Sequence, residues 1–142
     1  MSPSRDGDDR RLLNLIHRSE GFDLISRARI FLDHFPRSLF RPEVLLLLGD
    51  SAEEVAEKLT TSAARKVNTG FSDAPEFAYY LNYTGLDRYN RLRVTFVFDQ
   101  LTKRFHYDGA AWREVIRRYP KSPEAFDARK RLKALYSQLR MM

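Results

Sequence analysis

The chain has 142 residues, 43% of them hydrophobic and 13% aromatic, which suffices for one domain with a continuous core and is too apolar for a disordered protein. Zero cysteines exclude disulfides, thiolate catalysis and cysteine-ligated zinc, and the longest apolar run, Val44–Leu48, falls far short of the roughly 18 residues of a membrane-spanning helix. The 25 Lys and Arg against 19 Asp and Glu give a net charge of +6, but the two signs are interspersed; the densest basic stretch, Arg129–Lys133, lies on a helical pattern, where a solvated outer face accounts for it.

Residues 1 to about 8 read as a loose polar arm and 9–142 as a single domain. The arm lacks the apolar centre of a secretory signal, so the chain is expected to be either cytosolic or a mature portion without its leader. From Asp9, Leu12, Leu13, Leu15 and Ile16 predict a short helix, with Gly21 as its stop. A second helix is predicted from about Phe22 to Phe35. Its apolar set, Leu24, Ile25, Ala28, Phe31, Leu32 and Phe35, follows the three-and-four spacing of one buried face, and Pro36 terminates it.

Pro42 fits the first turn of a third helix, and the four leucines Leu45–Leu48 are expected to bury more than one of its faces. Asp50 or Ser51 would cap a fresh helix with Glu53 or Glu54 at capping-box spacing. Continuity through Gly49 is preferred, because glycine lets a neighbouring helix approach closely. The stripe Val55, Ala56, Leu59, Ala63 and Val67 then carries the helix to about Asn68. A loop over Thr69–Pro75, a short helix from Asp73 to Leu81, an interruption at Thr84–Asp87 and a short segment to about Leu92 follow.

The period then changes to two. Val94, Phe96 and Phe98 alternate with Arg93, Thr95 and Val97, a turn follows at Asp99–Lys103, and Arg104–Asp108 alternates again. The pattern predicts one β-hairpin inserted over about 93–107, against the alternative of a single helix from Asp87 to Phe105. Its aromatic face would have to lie on the helices, since an isolated hairpin is marginal. After Asp108-Gly109, a helix over Ala110–Tyr119 is predicted, with Trp112, Val115, Ile116 and Tyr119 inward. Ser122 caps and Pro123 opens the last helix, with the stripe Ala125, Phe126, Ala128, Leu132, Leu135 and Leu139.

One phrase occurs twice: Ile30-Phe31-Leu32-Asp33-His34-Phe35-Pro36-Arg37-Ser38, and Val115-Ile116-Arg117-Arg118-Tyr119-Pro120-Lys121-Ser122. In each a helix closes on an aromatic ring, a proline stops it and a serine is available to start the next, a device that builds helical hairpins. Superposing Pro36 on Pro120 matches Phe35 with Tyr119, Leu32 with Ile116, Phe31 with Val115 and Ser38 with Ser122. The interval is about two and a half times the roughly 34-residue tetratricopeptide period. The residues from Trp112 to Ala128 resemble the joint between tetratricopeptide repeats, particularly the variety of bacterial cell-envelope proteins such as the outer-membrane assembly lipoproteins and the Tol-Pal-associated coiled-coil protein. The resemblance is good over about Ala110–Leu135, fair over Phe22–Leu48 and absent from Thr69–Asp108.

The resemblance implies a mainly α fold of stacked antiparallel hairpins and a non-catalytic scaffold that holds proteins or peptides. It also implies a bacterial envelope setting, which would require a leader. The residues give no competing chemistry. His17, His34 and His106 sit on three elements without pairing, each expected at the surface or its boundary, so no metal site is predicted. No phosphate loop or nucleophile turn occurs, and no catalytic residue, cofactor or small-molecule substrate is expected. The carboxylate pairs Asp8-Asp9, Glu53-Glu54 and Asp73 with Glu76 stand near predicted helix starts, where the dipole explains them.

The sharpest candidate is the aromatic group from Phe71 to Trp112. The bland alternative is that it fills the core where the hairpin meets the helices. Tyr79, Tyr80, Tyr83 and Tyr89 are expected to be partly exposed and, with Arg88, Arg91 and Arg93, to bind an acidic or amphipathic peptide. Two alternatives from other classes stand beside this. One is a basic nucleic-acid-binding protein, disfavoured because its arginines are scattered; the other is a subunit that self-associates through Leu45–Leu48.

Overall fold

A computed structural model describes residues 7–68 and 86–140, without the side chains of 63–68 and Arg140. It is mainly helical with one small antiparallel sheet. Helices α1 (Asp8–His17), α2 (Gly21–His34) and α3 (Arg41–Asn68) are followed by the short α4 (Asp87–Arg91), strands β1 (Phe96–Asp99) and β2 (Arg104–Tyr107), and helices α5 (Ala110–Arg118) and α6 (Pro123–Arg140). The hairpin reading therefore holds over the single-helix alternative. All that was expected over Thr69–Gly85, the short aromatic helix from Asp73 to Leu81 included, lies outside the described residues.

The two proline corners share their backbone hydrogen bonds. The Phe35 amide donates to the Phe31 carbonyl and the Tyr119 amide to that of Val115, both at 2.9 Å; the Ser38 amide returns to Phe35 at 3.2 Å and the Ser122 amide to Tyr119 at 3.0 Å. Phe35 (φ −124°, ψ 66°) and Tyr119 (φ −133°, ψ 56°) share one backbone region. Each corner also uses its serine. Ser122 Oγ accepts from the Ala125 amide at 3.0 Å, the expected cap of α6, and Ser38 Oγ accepts from the Phe40 amide while donating to Asp9 on α1. Both corners join helices that pack on each other, α2 on α3 and α5 on α6.

Helix α3 is the centre of the fold and contacts α2, β2, α5 and α6. Val44, Leu45 and Leu48 are fully buried, with Leu46 and Leu47 packed at the edge of the same core. The leucine run thus buries several faces, as expected, against its own chain. The helix passes unbroken through Gly49 because Trp112 of α5 lies against it; a Cβ there would stand 2.3 Å from the indole Nε1. Arg41, at the start of α3, meets Tyr119 beyond the end of α5, while Gly49, two turns on, meets Trp112 near its beginning. The two helices therefore run in opposite senses.

Some local expectations are corrected. Gly21 opens α2 rather than closing α1. Strand β1 begins at Phe96, not Arg93, because α4 ends in a Schellman turn: the Val94 amide reaches the Tyr89 carbonyl and the Arg93 amide that of Asn90, with Arg93 left-handed at φ 62°. Phe126, assigned to the buried stripe of α6, is 57% exposed with the Lys130 ammonium over its ring. Of the rest of that stripe, Ala125, Ala128, Leu132 and Leu135 are buried and Leu139 is partly buried.

Strand β2 is attached to α3 by its outer edge. With Phe96 opposite Tyr107 and Phe98 opposite Phe105, the Phe105 amide donates to Thr60 Oγ1 at 2.7 Å and the Tyr107 amide to Glu53 Oε2 at 3.3 Å. Side chains of the helix thus satisfy backbone donors that an edge strand would leave to water or to another chain. The Asp99 side chain ties the turn by accepting from the Thr102 hydroxyl and the Leu101 amide; the hydroxyl first, and then the amides, hold its carboxyl below the usual range.

Candidate functional site

Where β2 meets α3, the chain opens a cleft of about 380 Å³ whose far wall is α6. Helix periodicity builds the near wall, since Asp50, Glu53, Glu54 and Glu57 fall at i, i+3, i+4 and i+7 and share one face of α3. Strand β2 contributes Arg104, Phe105 and His106, α5 contributes Trp112, and α6 contributes Arg131, Leu135 and Gln138.

The carboxylates differ in what already engages them. Arg131 grips Asp50 with a fork, Nε to Oδ1 at 3.0 Å and a terminal nitrogen to Oδ2 at 3.2 Å, and the Trp112 indole donates to the same Oδ1 at 3.2 Å. The contact with Asp50 raises the Arg131 pKa above its ordinary value. Glu53 uses one oxygen for the Tyr107 amide; burial pushes its pKa up, and the Glu57 charge adds to the rise against the lowering by the amide. Glu54 and Glu57 are exposed.

His106 is 5% exposed, and its Nδ1 has no hydrogen-bond partner among the described residues. Glu53 Oε1 lies 3.9 Å from that nitrogen. Burial, and then the Arg104 charge, hold the imidazole below its usual pKa, while Asp99 opposes them. The ring is therefore neutral at neutral pH, and its approach to Glu53 is polar contact without an ion pair. This corrects the expectation that His106 lies at the surface or its boundary. The other two histidines do lie there, His17 bonded to Glu43 at 2.5 Å and His34 to the Ile30 carbonyl. Glu53 and Glu54 stand in the middle of α3, so a helix start does not account for them.

The described members of the expected binding set, Arg88, Tyr89, Arg91 and Arg93, lie on and just after α4 and do not line the cleft. Tyr79, Tyr80 and Tyr83 lie outside the described residues. Tyr89 is 4% exposed, contrary to expectation, with edge-to-face contacts to Phe22 at 5.4 Å and Phe96 at 5.5 Å. Of the exposed arginines, Arg88 lies over the Phe22 ring at 4.3 Å and Arg93 pairs with Asp33 at 2.8 Å, while Arg91 is exposed at the end of α4. Tyr107 and Trp112 also belong to the core, edge to face at 5.4 Å, so the core reading of the aromatic group holds for these described members.

The acidic wall was visible in the sequence only as the spacing Asp50, Glu53, Glu54, Glu57. Nothing local signalled that strand β2, with Tyr107 following Glu53 by 54 residues, would meet it. Among the described residues no group of three or more His, Asp or Glu side chains is arranged to hold a metal ion, and no helix is long and apolar enough to cross a membrane. No family model matches the chain, and neither the curated proteins nor the solved structures contain a match.

Proposed function

We propose that this chain is a non-catalytic protein- or peptide-binding module of tetratricopeptide-like type, and that its docking site is the cleft between α3, β2 and α6. The observation that carries the reading is the match of the two corners in backbone hydrogen bonds and backbone conformation, on either side of α3. Repeated hairpins of this kind stack into extended binding surfaces, and here the β-hairpin walls the cleft at one side. The likeness of the Tyr119-Pro120 joint to envelope repeats extends the proposal to a bacterial envelope assembly. The acidic wall of the cleft favours a protein partner over nucleic acid, whose phosphates it would repel.

The experiment is cross-linking and recovery of partners with wild type, Glu57→Lys on the cleft and Arg91→Ala on α4. Recovery that falls with Glu57→Lys and survives Arg91→Ala supports the cleft. Recovery lost only with Arg91→Ala moves the site to the α4 surface, and recovery unchanged in both overturns the placement.

A further inference from the structure

We infer that the cleft receives a guanidinium group, the arginine side chain of a partner, between the carboxylates of α3 and the Nδ1 of His106. The inference rests on the reading of this cleft as the docking site and names the chemistry that site recognises.

Three independent features converge on it. First, among the described residues Glu53, Glu54 and Glu57 outnumber the one cation on this part of the rim, Arg104, because Arg131 is already matched by Asp50. The repulsion between Glu53 and Glu57 would be relieved by a cation between them. Second, the buried imidazole nitrogen lacks a partner among the described residues, and a buried acceptor left unmade costs free energy that a donor from a ligand recovers. With its proton on Nε2, His106 presents Nδ1 as an acceptor beside Glu53 Oε1. Third, the same helix face already accepts a guanidinium one turn away, where Arg131 forks onto Asp50. A guanidinium carries five donors in a planar fork and reaches several acceptors at once, whereas an ammonium acts as a compact point charge.

The test is an NMR titration of the chain with acetyl-arginine-amide, following the His106 ring signals and the Phe105 and Tyr107 amides. Acetyl-citrulline-amide serves as the uncharged isostere and acetyl-lysine-amide as the ammonium counterpart. The arginine probe is expected to saturate with shifts confined to the cleft, citrulline not to saturate, and lysine to bind at least about tenfold more weakly. The double variant Glu54→Gln/Glu57→Gln changes two exposed side chains and leaves the fold in place; it should weaken the arginine probe by about tenfold or more. A His106 signal unmoved by arginine, citrulline or lysine matching arginine, or a double variant that binds as wild type does, overturns the inference. If the probe binds while Glu57→Lys leaves partner recovery intact, the guanidinium site stands and the docking reading falls. If recovery depends on the cleft while the probe does not bind, the reverse holds.

Discussion

Arg41 Nε donates to the Tyr119 hydroxyl at 3.0 Å, and through this bond the first residue of α3 ties one proline corner to the other. The same guanidinium donates to the carbonyls of Leu32 and Phe35 at 2.8 and 3.2 Å, which are acceptors at the end of α2, and the residue is 6% exposed. The charge thus sits where carbonyls at the helix end point at it.

Removing that guanidinium takes its donor from the buried Leu32 carbonyl and breaks the bonds to Phe35 and Tyr119. Arg41→Ala should destabilise by about 3 kcal/mol, and Tyr119→Phe, which deletes one hydroxyl, by about 1 kcal/mol. Urea unfolding measures both. An Arg41→Ala loss no larger than that of Tyr119→Phe would show that the corners do not depend on this bridge.

Gly49→Ala opposes two effects. Alanine favours the helix by about 1 kcal/mol, but its methyl would meet the Trp112 indole at 2.3 to 2.9 Å. Overpacking of this kind costs about 1–3 kcal/mol, so the variant should be less stable than wild type, with a shifted Trp112 fluorescence maximum. A stabilised variant with unchanged fluorescence would contradict the close packing of α3 on α5.

The cleft makes opposite contributions to acid stability. Glu53 is raised above its ordinary 4.5, so stability is gained as pH falls through its folded pKa and the gain is complete below 4.5. His106 is lowered below its ordinary 6.5; stability is lost as pH falls below 6.5, where only the unfolded chain takes the proton, and the loss ends below the folded pKa. Glu53→Gln keeps an acceptor for the Tyr107 amide and should remove the gain, giving a steeper acid loss than wild type between pH 6.5 and 4.5. Parallel pH–stability profiles for the two proteins would refute the shift.

Arg93→Gly relieves the left-handed backbone at φ 62° but gives up the exposed pair with Asp33. A side chain in this region costs about 1–2 kcal/mol, and an exposed ion pair returns about 0.2–1 kcal/mol. The variant should be as stable as wild type or up to about 1 kcal/mol more stable by thermal unfolding. A clear destabilisation would mean that Arg93 does more than close α4.

Much of the chain was legible because the rules involved are local. The ends of α2 and α5 follow from a proline that cannot continue a helix, the start of α6 from a serine cap, and the hairpin from a change of period at Val94. Locality also explains an error: alternation extended β1 back to Arg93, whose conformation is decided by the capping bonds that close α4.

By itself the amino-acid sequence determined the order and kind of these elements and the likeness of the two corners, because caps, breakers and periodicity act within a few residues. Only the tertiary structure decided that Tyr89 and His106 are buried, that Glu53 serves a strand edge rather than a helix start, and that an acidic helix face becomes one wall of a cleft. Those outcomes depend on which faces meet across tens of residues, and burial, not identity, sets the chemistry of a carboxylate or an imidazole.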